Sequence, residues 1–320
     1  QPCFVEGSPL RDVRVRRAVS HALNRQAFCL SKQDKFAEAA ALYARLGTEF
    51  TQSTYAAEAA LSAGRCYYRA EQFPEAAKWL QKAAEGPSGN RVEAAHWLCR
   101  IYLRDKQPQK AIDLAKKVLP QSADSPFAVN LQMDQADALY EVANSRPQAV
   151  ALYRKIATDH PQHETAPQAL YNAAFGALEL GKYDDGLKYA ADFLKAHAGH
   201  RLAPDVQYVA AECHLQRGEH ADAQKLYAEL AKSAPDHPDR ETWQVRQGLA
   251  IYLQKKYSDA AAALEPIAAG LKNPDNQAQA QFVLGVSRFY LDQFDGAVPA
   301  LQAALKASPK WKQADETLLY

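Results

Sequence analysis

Long apolar runs are missing from this 320-residue chain: no stretch approaches the roughly 20 apolar side chains that a helix needs to cross a bilayer, so no membrane span is expected. Net charge is nearly absent, with 38 Lys and Arg against 37 Asp and Glu, a balance that gives no reason to expect nucleic acid or a membrane surface as partner. Cysteine is sparse. Cys3, Cys29, Cys66, Cys99 and Cys213 lie far apart with no C-x-x-C pair, which argues against a disulfide framework or a zinc knuckle. Four of them fall in Ala-rich helical stretches and are expected as core thiols, leaving Cys3 as the exposed one. The single Met is Met133, and Gln1 is followed by neither a charged nor an apolar leader segment, so the chain reads as a mature or excised fragment. Catalytic signatures are also missing: there is no Gly-rich phosphate loop, no G-x-S-x-G and no H-E-x-x-H. No enzymatic activity, cofactor or resident metal is therefore expected.

What the chain does contain is an internal repeat. Segments around Ala39, Ala76, Ala111, Ala149, Gly186, Ala223, Ala260 and Ala297 superimpose at spacings of 37, 35, 38, 37, 37, 37 and 37. Four residues after each small residue stands Tyr43, Leu80, Ala115, Tyr153, Ala190, Tyr227, Leu264 or Leu301, and seven after stands Leu46, Ala83, Val118, Ile156, Phe193, Leu230, Ile267 or Ala304. All sixteen are apolar. Twelve residues before lies a second small site: Ala27, Gly64, Cys99, Ala174, Ala211, Gly248 and Gly285, with Asp137 the exception. Three before is usually aromatic, as in Phe36, Phe73, Tyr183, Tyr257 and Phe294, with Pro108, Arg146 and His220 departing.

Offsets of four and seven place residues on one helical face, and a small residue there lets two helices approach closely. Each unit is thus two antiparallel helices, A and B, joined by a short turn such as Leu-Gly-Lys at 180–182 or Arg-Gly-Glu at 217–219. Acids recur at the start of helix B (Glu38, Glu75, Asp184, Asp222, Asp259, Asp295), where free amides and the positive dipole end favour them. Pro161, Pro235 and Pro309 close repeats, and Pro126, Pro167, Pro204 and Pro274 suit the first turn of the next helix A. Pro266 falls deep in a helix B and predicts a kink. The stretch from Leu119 to Pro126 predicts a looser junction.

The arrangement resembles the tetratricopeptide repeat over nearly the whole chain, from about Ser20 to Trp311, in units three residues longer than the usual 34. The resemblance implies an all-α, right-handed α-solenoid of about eight helix-turn-helix repeats at residues 20–56, 57–91, 92–129, 130–166, 167–203, 204–240, 241–277 and 278–311. Residues 1–19 precede it, with Ser8 and Pro9 opening a long basic first helix that reads as a solvated end cap, and 312–320 start a further, incomplete helix. The inter-repeat segments at 160–174 and 48–64 resemble the longer loops of bacterial cell-envelope members of the Tol-Pal coordinator and barrel-assembly lipoprotein type. A periplasmic or other envelope location follows as an expectation, with the cytoplasm as the alternative.

The resemblance also implies where a ligand sits, on the inner wall formed by helix A. Mapped onto this chain, that wall offers a basic set, Asn24, Arg25, Lys32, Arg65, Arg69, His96, Arg100 and Arg104. It continues as an aromatic set, Tyr171, Phe175, Tyr208, Tyr252, Phe282, Phe289 and Tyr290, with Glu141, Glu179 and Glu212 as an acidic stretch between them. The Arg pairs are spaced by four, so each lies on one helix face, and guanidinium forks so arranged suit carboxylates. The competing reading is a solvated face neutralised by Glu58, Glu71 and Glu93, with the aromatics packed between helices. His163, His200 and His237 recur at one loop position, as metal ligands or as loop residues inherited with the repeat, and the second is the reading adopted. The function expected is a non-enzymatic scaffold binding another protein or peptide, an acidic one on the basic wall. The alternatives are a recruiting domain of a larger enzyme and a structural protein that self-associates through its C-terminal helix.

Overall fold

The computed structural model describes residues 9–86, 88–122, 124–312 and 314–317, the side chains of Leu10, Ser88 and Glu316 excepted. Two compact units divide the chain, Gln1–Ala169 and Leu170–Tyr320. In the first, a 3-10 turn at Pro9–Arg11 leads into α1 (Val13–Lys32), α2 (Phe36–Glu49), α3 (Ala56–Arg69), α4 (Phe73–Ala84), α5 (Ser88–Arg104), α6 (Pro108–Val118), α7 (Ala128–Glu141) and α8 (Arg146–Asp159). The division falls within α9 (Ala166–Glu179), and the second unit continues with α10 (Tyr183–His197), α11 (Ala203–Gln216), α12 (His220–Ser233), α13 (Arg240–Leu253), α14 (Tyr257–Leu264), α15 (Pro274–Tyr290), α16 (Phe294–Ala307) and the short α17 (Ala314–Thr317). No strand occurs among the described residues. From α1 to α8, and again from α10 to α17, each helix packs on the next, which makes the fold an all-α solenoid of helix pairs. Odd-numbered helices are the A helices and even-numbered ones the B helices.

The small sites work as the spacing demands. A Cβ on Gly248 of α13 would stand 2.5 Å from two carbons of Leu264 on α14, and Gly64 with Leu80 and Gly285 with Leu301 repeat the contact at 2.6 and 2.7 Å. Where helix A carries Ala27 or Ala211 instead, Tyr43 and Tyr227 lie in the same buried clusters as those alanines. Leu80, Leu264, Tyr227 and Phe193 are fully buried, each contributing about 1.5–3 kcal/mol.

Seven of the eight A-to-B turns are closed by one residue in the left-handed region: Asp34, Glu71, Lys106, Gly181, Gly218, Lys255 and Asp292, at φ between 56° and 78°. The amide of the following residue then reaches back to a carbonyl in the last turn of helix A, as in Lys182 to Ala177 at 2.8 Å and Gln107 to Tyr102 at 2.8 Å. This is the Schellman closure of a helix C-terminus. Gly suits the position at 181 and 218; elsewhere the tertiary packing holds a non-Gly residue there against a cost of about 1 kcal/mol. The fourth hairpin uses a 3-10 turn at Ala143–Ser145 instead.

The first helix starts at Val13, with the Asp12 carboxylate accepting from the Arg14 amide at 2.8 Å; Ser8 lies outside the described residues, as do Cys3 and Tyr320. Cys29 is exposed, whereas Cys66, Cys99 and Cys213 are buried. Pro266 does not kink a helix: α14 ends at Leu264, two residues before it. A proline does lie inside α16, at Pro299. Pro126 stands two residues ahead of α7 rather than in its first turn. Pro108 and Arg146 depart from the aromatic pattern for local reasons. Pro108 opens α6, where its missing N–H costs nothing, and the Arg146 guanidinium lies 5.3 Å from the Tyr140 ring.

Candidate functional site

Direct contact between α3 and α5 and between α5 and α7 joins three A helices of the first unit into one wall. Arg65 and Arg69 on α3, Arg100 and Arg104 on α5, and Arg25 and Lys32 on α1 are exposed, while Asn24 is half-buried. Two guanidinium groups are held against rings: Arg69 lies 5.0 Å from the centre of Phe36, and Arg104 lies 3.7 Å from that of Phe73. Both arginines end a helix A, and both rings open the helix B of the preceding repeat. In the second unit Tyr290 stacks on Tyr257 at the same register, 4.6 Å between ring centres.

Of the three acids expected to neutralise this wall, Glu93 does so, pairing with Arg65 at 3.1 Å and accepting from the Trp97 indole at 3.4 Å. Arg104 pairs with Asp105 at 2.8 Å. Among the described residues no carboxylate makes an ion pair with Arg25, Lys32, Arg69 or Arg100. Tyr68 and Trp97, which the sequence reading missed, pack 5.0 Å apart within the same wall, and the Arg100 Nε reaches the Tyr68 hydroxyl at 3.5 Å. Their spacing carries no signal of its own, because an aromatic at a helical position reads equally as core.

His96 is not a wall residue. It is buried, 7% exposed, and its Nδ1 lies 2.6 Å from the carboxylate of Asp134 on α7, itself 3% exposed. Three residues on, Asp137 occupies the small site of its repeat, and the Tyr153 hydroxyl donates to it at 2.6 Å. A tyrosine four residues into the helix B pattern is what lets an acid replace the usual small residue. Burial pushes the Asp134 carboxyl up, opposed by His96 and Arg100, and pushes Asp137 up to about 6.

The aromatic set divides between surface and core in the second unit. Tyr171 and Phe175 are half-buried and stacked 6.1 Å apart; Tyr208, Tyr252 and Phe289 are half-buried, and Tyr290 is exposed. Phe282 is corrected to a core residue, 2% exposed and edge-on to Trp311, because α15 is covered on that face by the chain leading to α17. Glu212 is likewise not surface: it is buried, accepts from the Tyr227 hydroxyl at 2.6 Å and pairs with Arg246 at 3.2 Å. Glu141 stays at the surface, 3.6 Å from Lys106.

The recurrent histidines are loop caps. In His163, His200 and His237 the Nδ1 accepts the amide N–H two residues on, each at 3.2 Å. Ser53, Ser125 and Asn273 make the same bond with a side-chain oxygen before their own helix A. His237 also gathers with Asp205 and Asp239, ligand atoms within 4.8 Å of one another. An Nδ1 that accepts an amide proton leaves the ring proton on Nε2, so neither nitrogen presents a free lone pair to a cation.

The fold and wall together define a helix-pair repeat scaffold of the kind that holds other polypeptides. A family model described as the tetratricopeptide repeat matches residues 30–91, 171–238 and 218–276, more than half of the chain, and the chain belongs to that family. Its fold is that of a protein–protein interaction scaffold. A search of curated proteins by sequence gives no match. Among solved structures it is similar to a tetratricopeptide repeat protein from Parabacteroides merdae, at 14% identity and a TM-score of 0.54 over 82% of this chain and 97% of that one. It is also similar to a signal-transduction ATPase with numerous domains from Pyrococcus horikoshii that has a tetratricopeptide repeat sensor, at 16% identity and a TM-score of 0.60 over 99% of this chain and 52% of that one. The apo form of RapI is similar at 12% identity and a TM-score of 0.52, covering 79% and 98%. No described helix is long and apolar enough to cross a membrane.

Proposed function

We propose that this chain is a non-enzymatic scaffold that captures a partner polypeptide by an acidic, extended segment laid along the wall of α3 and α5. The observation that carries this reading is a set of four exposed arginines on the adjoining helices α3 and α5, of which Arg65 and Arg104 have a carboxylate in ion-pair contact. Phe36 and Phe73 restrict the Arg69 and Arg104 side chains before any ligand arrives, and this lowers the ordering cost of binding. The aromatic residues Tyr171, Phe175, Tyr252 and Tyr290 supply further contact area in the second unit. The setting proposed with this function, bacterial envelope biogenesis, rests on the style of the inter-repeat loops and is tested by fractionating cells that express the protein.

The test is fluorescence anisotropy with a labelled Glu-rich peptide and its Gln-substituted counterpart. The Glu peptide is expected to bind, weakening steeply with salt, while the Gln peptide does not. Replacing Arg65, Arg69, Arg100 and Arg104 with Ala is expected to abolish binding without loss of helical circular dichroism. Undiminished binding by that variant would refute the proposal.

A further inference from the structure

We propose that the first unit holds a second binding site, a cavity between α4, α5 and α6 that takes a small organic monocarboxylate with an alkyl body. It is independent of the arginine wall and of the acidic-peptide reading. Arg91, Leu98 and Tyr102 line it from α5 at offsets of seven and four, which place them on one helical face. The wall residues Glu93, Trp97, Arg100 and Arg104 fall on the opposite side of the same helix. Because α5 packs on α4 before it and on α6 after it, the Arg91 face looks between two B helices. From α4 come Ala84 and Glu85, and from α6 come Leu114, Lys117 and Val118, around a volume of about 370 Å³. That is the size of the smaller pockets in which proteins hold organic ligands.

The chemistry of the lining selects the ligand. Arg91 is half-buried and held from two sides, its Nη1 donating to the Gln121 side chain at 3.0 Å and its Nη2 to the Gly86 carbonyl at 3.3 Å. The 3-10 turn at Leu119–Gln121, in the stretch whose sequence predicts a looser junction, is what brings Gln121 to Arg91. A guanidinium carries five N–H donors, so two bonds to uncharged oxygens fix its direction and leave its charge unneutralised. Its Nε is buried and makes no hydrogen bond among the described residues. Among those residues no carboxylate forms an ion pair with Arg91 or with Lys117. Glu85, which is exposed, adds one negative charge to the lining. Two cations against one carboxylate are balanced by a single further negative charge, which a monocarboxylate supplies and a dianionic phosphate exceeds. Beside these groups, Leu98 and Val118 are buried and Tyr102 and Leu114 half-buried, so the rest of the cavity receives an alkyl chain in preference to a second polar group.

The probe is octanoate, with octanamide as its uncharged counterpart, in isothermal titration calorimetry on the whole chain. Octanoate is expected to bind, and octanamide to bind about tenfold more weakly or less, the loss of a charge-assisted hydrogen bond. Ala84→Leu fills the cavity from a half-buried helical position at little cost in helix propensity and should abolish octanoate binding. Arg91→Met and Lys117→Met should each weaken it about tenfold. Replacing the four wall arginines with Ala should leave octanoate binding unchanged, so that failure of this site and failure of the wall are told apart. Octanoate that does not bind the native chain, octanamide that binds equally well, or octanoate affinity undiminished in Ala84→Leu would each overturn the proposal. If Ala84→Leu or Arg91→Met loses its helical circular dichroism, Lys117→Met, at an exposed position, decides the matter: native affinity in that variant would overturn it.

Discussion

Replacing Gly248 with Ala should change sign of effect according to what stands at position 264. In the native chain the added methyl would lie 2.5 Å from two carbons of Leu264 and 2.7 Å from a third, about 1 Å inside ordinary contact, and Leu264 is itself fully buried. Overpacking of this kind costs about 1–3 kcal/mol, from which the better helix propensity of Ala returns about 1, leaving a net loss of up to about 2 kcal/mol. Leu264→Ala alone opens a cavity and should cost about 2–5 kcal/mol. In that background the clash has gone, and Gly248→Ala should instead stabilise by about 1 kcal/mol, making the coupling between the sites about 1–3 kcal/mol. The resulting Ala and Ala pair already exists in this chain, at Ala174 and Ala190. Repeat arrays do not always unfold in one step, so the assay is native-state hydrogen exchange of the α13 and α14 amides alongside urea denaturation. Effects that add within about 0.5 kcal/mol would refute the claim that these two side chains set the distance between paired helices.

Two further outcomes follow from the polar contacts. Asp137 binds a proton more readily in the folded chain than in the unfolded one, its carboxyl being raised from about 3.8 to about 6, so the folded state holds the extra proton between those values and stability falls as pH rises through them. The loss is about 2–3 kcal/mol at neutral pH; Asp137→Asn should remove that slope from the pH profile of urea unfolding, and an unchanged slope would count against the burial argument. His237→Ala should cost about 1 kcal/mol by orphaning the Asp239 amide, whereas His237→Asn should be nearly neutral because Asn273 makes the same bond one repeat later; equal losses in thermal melts would show that the ring, stacked on Trp243, matters through packing alone.

The repeat, the helix pairs and the family were legible in the sequence because their cause is local. A small residue, an apolar residue four on and another seven on define a helical face whatever lies beyond it, and eight copies of that pattern reinforce one another. The acids opening each helix B and the prolines closing several repeats follow from unpaired amides at helix ends, which is also a local matter. The exposed arginines of the wall were readable for the same reason, since a helix face turned from its partner falls at predictable positions. Which polar residue faces inward was not readable. His96 and Arg100 lie one helical turn apart, yet one is buried against Asp134 and the other stands in solvent, a difference made by α7. By sequence Asp137 breaks the pattern and Phe282 is a ligand anchor; in the fold the Tyr153 hydroxyl donates to Asp137, and Trp311 packs edge-on against Phe282. Periodicity along one chain segment determined the helices and their pairing; contacts between segments far apart in sequence decided charge state, burial and thus which side chains remain available to a partner.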